Sequence, residues 1–305
     1  MKFYHPEKNG WFSTDSNTKY TLLEPYRSEP EVEFDTRSPY AILSENLSAK
    51  ELNLLQKEVA DALGKDYDGI IVTHGTDTLH YSAAALELAF GKSSVPIVLV
   101  SAAYPLEDAR TNGFDNFAAA LEFIKSKVAN GVFVSYKNES DDFVSIHSAS
   151  RLLQHHEGSG DLFSVDRVPF AKYDGKKFDV FPVSYEYPET GVVDYTDFPG
   201  ILLIESHPSD SFSYSLCDIK AVILKPYHSA TLCTANKAFT DFCKKAADEK
   251  IPVFVIGVKE GTSYESSSLF DKLGIIPLPY GTLISYYMRL WAGISLGAEL
   301  QAFMK

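Results

Sequence analysis

Cysteine is scarce in this chain of 305 residues: Cys217, Cys233 and Cys243 are the only three, and no ligand spacing joins them. That excludes a disulfide framework and a cysteine-built metal centre, and leaves reduced packing residues. No apolar run is long enough to cross a bilayer, and Met1-Lys2-Phe3-Tyr4-His5-Pro6 lacks a secretory apolar core. The expectation is a soluble, cytoplasmic protein without a membrane partner. Positive charge is also in deficit, 28 Lys and Arg against 41 Asp and Glu, for a net −13. Such a surface repels phosphate backbones and anionic lipids, so no nucleic-acid partner is expected, while small polar substrates stay open. A Walker loop, a dinucleotide fingerprint and a Gly-x-Ser-x-Gly elbow are all missing, which disfavours a nucleotide-binding domain. Internal repeats and low-complexity tracts are missing too.

What remains is an ordinary globular composition, 45% hydrophobic and 23% charged, over a length that suits two domains. One stretch organises the rest. Ile70, Ile71 and Val72 form a β-branched run of the kind buried on both faces of a parallel sheet. It ends in His74-Gly75-Thr76-Asp77-Thr78, after which Leu79, Ala83, Leu86 and Phe90 mark one face of a helix, with Asp77 or Thr78 placed to cap it.

Around it the pattern alternates. Residues 1 to 30 are polar, aromatic and turn-rich, with Asn9-Gly10 and Asp15-Ser16-Asn17 as punctuation. Residues 31 to 34 could form a short strand, and residues 42 to 47 are an apolar approach ending in polar residues. Ser48 caps a helix carrying Leu52, Leu55, Val59 and Leu63, stopped by Gly64. Pro96-Ile97-Val98-Leu99-Val100 is a buried strand, followed by a helix from about Asn112 or Phe114 through Phe117, Ala120, Leu121 and Ile124, then strand Val132-Phe133-Val134. This predicts an α/β fold, a doubly wound, largely parallel sheet in the N-terminal domain. Short strands and turns over residues 143 to 183 close that domain. A linker spans residues 184 to 199, and a smaller α/β domain covers 200 to 305. There, strands begin at Gly200, Ala221 and Pro252, and helices lie near 236 to 247, 266 to 273 and 283 to 296.

The central turn has a structural reading, glycine for tightness and Thr or Asp as a cap, of about equal weight to a functional one. In the functional reading Thr76 stands at a helix N-terminus, where N–H groups favour an anion, and its hydroxyl attacks a carbonyl once a base takes its proton. Asp77 would hold an ammonium group, which suits an amino-acid substrate. A metal set of His74, His80 and Asp77 is disfavoured, since His80 falls on the helix. His155-His156-Glu157 reads as an exposed polar loop, and Tyr286-Tyr287-Met288 with Trp291 as core or subunit interface.

His74-Gly75-Thr76-Asp77-Thr78 after a buried strand resembles the signature of the bacterial-type L-asparaginases and glutaminase-asparaginases. Ser44-Glu45-Asn46 before it, Ser101-Ala102-Ala103-Tyr104-Pro105 after it and Asn116 follow the same order. The resemblance implies hydrolysis of the asparagine side-chain amide to aspartate and ammonia, without cofactor or metal. Thr76 would be nucleophile or water-positioning group, and Asp77 would bind the α-ammonium and join a Thr-Asp-Lys relay. Ser44 would bind the α-carboxylate, Glu45 would contact the α-ammonium, Gly75 would adjoin the substrate, and Ala102 would offer its carbonyl to the amide nitrogen. It further implies a homodimer or homotetramer. Two motifs depart from the family. Its Thr-Gly-Gly-Thr strand end is missing, from which the natural chain is expected to start roughly twenty residues upstream, one strand plus a turn. At the place of its relay Lys this chain offers His147 and Arg151, and a guanidinium cannot act as a base. The rival expectation is an amino-acid-binding or scaffold protein that has lost turnover.

Overall fold

The computed structural model describes residues 2–5, 10–13, 20–182, 189–258, 264–279 and 281–304, the first two stretches by backbone alone. Strands β1 (Lys2–His5) and β2 (Gly10–Ser13) form an antiparallel pair of their own, an element that the turn-rich start did not suggest. The expected turns at Asn9 and Asp15-Ser16-Asn17 lie outside the described residues, as do residues 183 to 188.

The chain then builds α1 (Ala49–Leu63), β3 (Ile70–Thr73), α2 (Leu79–Phe90), β4 (Pro96–Val100), α3 (Gly113–Lys125) and β5 (Gly131–Tyr136). Strands β3, β4 and β5 are parallel neighbours, and β6 (Val144–Ser148), β7 (Ala171–Tyr173) and β8 (Phe178–Val180) extend the same sheet antiparallel. Alternation along the strands decides which helices cover which face. Ile97 and Leu99 point toward α1 and α2, whereas Val98 and Val100 point toward Phe117, Ala120 and Phe123 of α3. The sheet is therefore doubly wound, as its apolar runs implied. β3 is its outermost strand among the described residues, and Ile70, Ile71 and Val72 are only half-buried, not buried on both faces as their β-branched run suggested.

The second sheet is parallel throughout, β9 (Ile201–Glu205), β10 (Ala221–Lys225), β11 (Val253–Val255) and β12 (Ile275–Pro277) in that spatial sequence, with α4 (Lys237–Asp248) between β10 and β11. Phe239, Phe242 and Ala246 of α4 cover Val222, Leu224 and Val253, while Tyr286 and Leu290 of α5 (Leu283–Ser295) cover Ile223 and Phe254. A short α6 (Leu300–Phe303) packs on α5. Helix α5 also joins the two sheets. Its Ile284, Met288 and Ala292 meet Ala84, Ala85 and Leu88 of α2, so α2 is buried on opposite sides and small alanines let the helices approach.

Three local expectations fail. Residues 31–34 pair with no strand; Phe34 instead packs its ring on Tyr26 and Phe117. Residues 42–47 form no strand either, and Ser44–Asn46 is a single 3-10 turn, because Ile42 and Leu43 face solvent and have nothing to pair with. Residues 266–273 make two 3-10 turns rather than an α-helix, ended by Gly274 in the left-handed region at φ 67°. The three thiols are free, and burial pushes the Cys243 thiol up to about 12. No helix among the described residues is long and apolar enough to cross a membrane.

Candidate active site

The site forms where β3, β4 and β5 end, the edge at which parallel α/β sheets bind ligands. The turn after β3 is locked from three directions. His74 N–H donates to the Val100 carbonyl at 2.8 Å, which continues the parallel ladder one residue past β3. Its ring lies 2.7 Å from the Gly75 carbonyl through Nδ1 and 2.8 Å from Ser82 Oγ through Nε2. The carbonyl can only accept, so Nδ1 carries the hydrogen and Nε2 accepts from the Ser82 hydroxyl. Burial holds this imidazole below its ordinary pKa, in keeping with a neutral ring that pins the turn to α2. His74 is thereby used up structurally, and no group of His, Cys, Asp and Glu among the described residues is arranged to hold a metal.

Ser44 supplies the third lock. Its Oγ lies 3.3 Å from both the Asp77 amide nitrogen and Asp77 Oδ2, accepting from the first and donating to the second, and its carbonyl accepts from Thr78 Oγ1 at 2.7 Å. Thr78 occupies the N-cap of α2, but its hydroxyl serves Ser44 and caps nothing, so the capping role expected of Asp77 or Thr78 is not performed. Gly75 is required by this contact: a Cβ there would sit 2.6 Å from Ser44 Oγ and 2.7 Å from its Cβ. Ser44 thus touches Gly75 and Asp77, from which it is remote in sequence. Ser44 lies in the 3-10 turn, with Glu45 exposed beside it.

Two asparagines hold the neighbouring strand ends apart at a set distance. Fully buried Asn116 donates to the Ser101 carbonyl at 2.8 Å and accepts from Lys137 N–H at 2.7 Å. One turn earlier, Asn112 accepts from Ala103 N–H at 2.8 Å and donates to the Lys137 carbonyl at 2.7 Å. These amides satisfy backbone groups that the ladder drops after the pair Val100 and Ser135.

Between these elements lies a cavity of about 450 Å³ lined by Thr76, Asp77, Ala103, Tyr104, Tyr136, Gln154, His155 and the loop Gly158, Ser159, Gly160. Ala103, rather than Ala102, is the residue of that strand end on the cavity wall. The ring of Tyr104 is backed by the Arg110 guanidinium at 4.1 Å, itself paired with Asp108 at 2.7 Å. His147 and Arg151, the two candidates for the relay position, lie elsewhere. His147 is buried with Nδ1 2.8 Å from Ser164 Oγ, and Arg151 donates to the Val165 carbonyl at 3.0 Å.

His155 overturns its reading as part of an exposed loop. His156 and Glu157 do face solvent, but both ring nitrogens of His155 are shielded from it and have no hydrogen-bond partner among the described residues. Burial pushes its pKa down to about 4, against the opposing pull of the Asp77 and Asp161 carboxylates. Its loop is held by Tyr136, whose hydroxyl donates to the Gly160 carbonyl at 2.8 Å, and by Asn138, whose Oδ1 accepts from Leu162 N–H at 2.8 Å. The signal available in the sequence was Gly158-Ser159-Gly160, a tight loop placed directly after the histidines. Gly158 and Gly160 adopt φ 82° and 69°, which turns the chain back toward the sheet.

A family profile described as "Asparaginase, N-terminal" matches residues 7–183. A glutamyl-tRNA(Gln) amidotransferase subunit from Methanobrevibacter smithii is 32% identical over 178 residues, 55% of this chain and 39% of that protein. Its counterpart from Methanosarcina mazei is 30% identical over 234 residues, 73% of this chain and 53% of that protein. The chain thus spans about half or less of the length of these relatives. Two solved structures share the fold: the thermostable L-asparaginase from Thermococcus kodakarensis (TM-score 0.80, 19% identity, 99% of this chain and 92% of that one) and L-asparaginase I from Vibrio cholerae (TM-score 0.78, 21% identity, 95% and 89%). With that profile covering more than half of its length and its whole doubly wound sheet, the chain belongs to the asparaginase family.

Proposed function

We propose that this chain is an amidohydrolase that converts L-asparagine to L-aspartate and ammonia, with Thr76 as nucleophile and Asp77 as the seat of the substrate α-ammonium. The observation that carries this reading is that Thr76 and Asp77 face one cavity of about 450 Å³ at the carboxyl end of a parallel sheet. That volume is at the scale of a small-molecule site. Asp77 is oriented by Ser44, so its carboxylate meets an ammonium group without first reorganising. Ser44 and Gly75 back Asp77 at the amino-acid end with Glu45 beside them, and the strand end that carries Ala102 meets the amide nitrogen through Ala103, the residue on the cavity wall. The reading needs no cofactor or metal. Residues 1–183 act as the site-bearing domain and 200–305 as the second domain, in a homodimer or homotetramer.

A second reading is favoured by the similarity to the glutamyl-tRNA(Gln) amidotransferase subunits. In it, the same cavity frees ammonia from an amide donor, and a partner protein consumes it. Ammonia release from asparagine and from glutamine, measured for the wild type and for Thr76→Ala, tests both. Release from asparagine that Thr76→Ala abolishes is the expected result. Preference for glutamine favours the second reading, and aspartate binding without ammonia release favours a binding protein. Turnover unchanged in Thr76→Ala removes that residue from the mechanism.

A further inference from the structure

A threonine hydroxyl attacks an amide only when a neighbour takes its proton as the new bond forms. Among the described residues lining the cavity there is no lysine or arginine. Asp77 is engaged by Ser44 through Oδ2 and is assigned to the substrate ammonium. The other titratable groups among these described residues are the phenols of Tyr104 and Tyr136 and the imidazole of His155. The Tyr136 hydroxyl is committed to the Gly160 carbonyl at 2.8 Å, and Tyr phenols hold their protons at neutral pH. His155 has no such commitment, since neither ring nitrogen meets a partner among the described residues. Its ring stands edge-on to Tyr136, with centroids 5.2 Å apart at 79°, on the loop that Tyr136 also ties down.

We propose that His155 is the general base of this site, accepting the hydroxyl proton of Thr76 in place of a lysine. The assignment rests on the amidohydrolase reading above. A ring nitrogen of His155 takes the Thr76 Oγ–H proton while Oγ bonds to the amide carbonyl carbon and the carbonyl electron pair moves onto oxygen. The imidazolium then gives that proton to the amide nitrogen as the C–N bond breaks, so ammonia leaves and an ester to Thr76 remains. Water attacks the ester, its proton passing to His155; the ester C–O bond breaks and the proton returns to Thr76 Oγ. One water is consumed, one ammonia and one carboxylic acid are formed, and His155 ends neutral.

The surroundings suit this role. Asp77 from the turn after β3 and Asp161 from the loop itself stabilise the imidazolium. His80 of α2 and His147 of β6 lie within electrostatic reach, and burial pushes each down to about 3, so both stay neutral and add no competing charge. His155 itself is neutral at physiological pH, the form that accepts a proton.

The test measures kcat and KM for ammonia release from asparagine in wild type, His155→Gln, His155→Asn and His156→Gln, with folding followed by circular dichroism. Loss of about 10²- to 10⁴-fold in kcat with little change in KM is expected for both His155 variants. His156→Gln, on the exposed neighbour, keeps wild-type turnover. Imidazole in the buffer should restore part of the rate of His155→Gly. The wild-type acid limb of kcat/KM, set near 4, should vanish from the residual activity of His155→Gln. A folded His155→Gln or His155→Asn that keeps both kcat and the acid limb, while Thr76→Ala is inactive, overturns the assignment and leaves the amidohydrolase reading intact. Should neither variant fold, a wild-type kcat/KM that is flat through the His155 range overturns it instead. Absence of any Thr76-dependent ammonia release sinks the underlying reading itself.

Discussion

Thr76 and Asp77 stand on a turn flanked by a parallel strand and a buried helix, whereas Gln154, His155 and Gly158 to Gly160 stand on a loop with no regular element of its own. The first wall inherits its position from the sheet. Its backbone joins the ladder through Val100, its ring His74 plugs into α2, and Gly75 lies against Ser44 with no room for a side chain. The second wall is a loop closed on itself, bridged at Leu152 and Ser164, with Leu153 N–H on the Phe163 carbonyl at 2.9 Å and His156 N–H on the Asp161 carbonyl at 2.8 Å. It is tied to the end of β5 and the residues after it through Tyr136 on Gly160, Asn138 on Leu162 and the Glu139 N–H on Asp161. The first wall is fixed by two regular elements and the Ser44 turn, the second by its own closure and by one neighbouring segment, residues 136–139. On the roles proposed above, substrate capture falls to the turn and proton transfer to the loop.

This comparison can be broken most decisively at Thr76. Thr76→Ala should lower kcat by at least about 10³-fold in an ammonia-release assay while aspartate still binds, because only the nucleophile is lost. Asp77→Asn comes next. Removing the charge opposite the ammonium costs about 1.5–3 kcal/mol, so KM for asparagine should rise roughly 10- to 150-fold with a smaller change in kcat. The second wall is probed by Asn138→Ala, which strands the Leu162 N–H; about a 2- to 10-fold loss of kcat/KM is expected, without a change in the urea midpoint as large as a core substitution gives. If Asn138→Ala instead unfolded the protein, the loop would be part of the core and the contrast would fail.

Glu87 of α2, away from both walls, sets the lower bound. Burial raises its pKa from 4.5 to about 7, and its Oε2 has no partner among the described residues. The folded state therefore binds this proton more tightly than the unfolded state does. Stability should fall as pH rises from about 4.5 to about 7, by up to about 3 kcal/mol, and stay at the lower level above that. Glu87→Gln should remove that slope and gain about 1–3 kcal/mol at pH 8 in urea denaturation, leaving kcat unchanged.

Periodicity alone located α1, α2, α3 and the strands β3, β4 and β5, since each packs apolar side chains on the core and its apolar spacing records that contact. It failed where burial is incomplete. Residues 31–34 carry apolar side chains that serve a ring cluster instead of a strand, and residues 266–273 fold as two 3-10 turns joined without an α-helical ladder. Edge position was equally invisible: Ile70, Ile71 and Val72 have the composition of a central strand, yet only the pairing pattern makes β3 the outermost one described.

The same division runs through the site. Sequence by itself determined the His74-Gly75-Thr76-Asp77-Thr78 turn, because a strand, a glycine and a helix in succession constrain one another within ten residues. It also singled out Ser44, whose closeness to Gly75 and Asp77 the structure then displays. Only the tertiary structure decided that Asn112 and Asn116 set the spacing of two strand ends, that Ala103 faces the cavity, and that His155 turns inward while His156 turns out. Those outcomes depend on side chains from separate elements meeting across the end of the sheet. A loop without a hydrophobic period leaves no trace in sequence of the direction in which any one of its residues points.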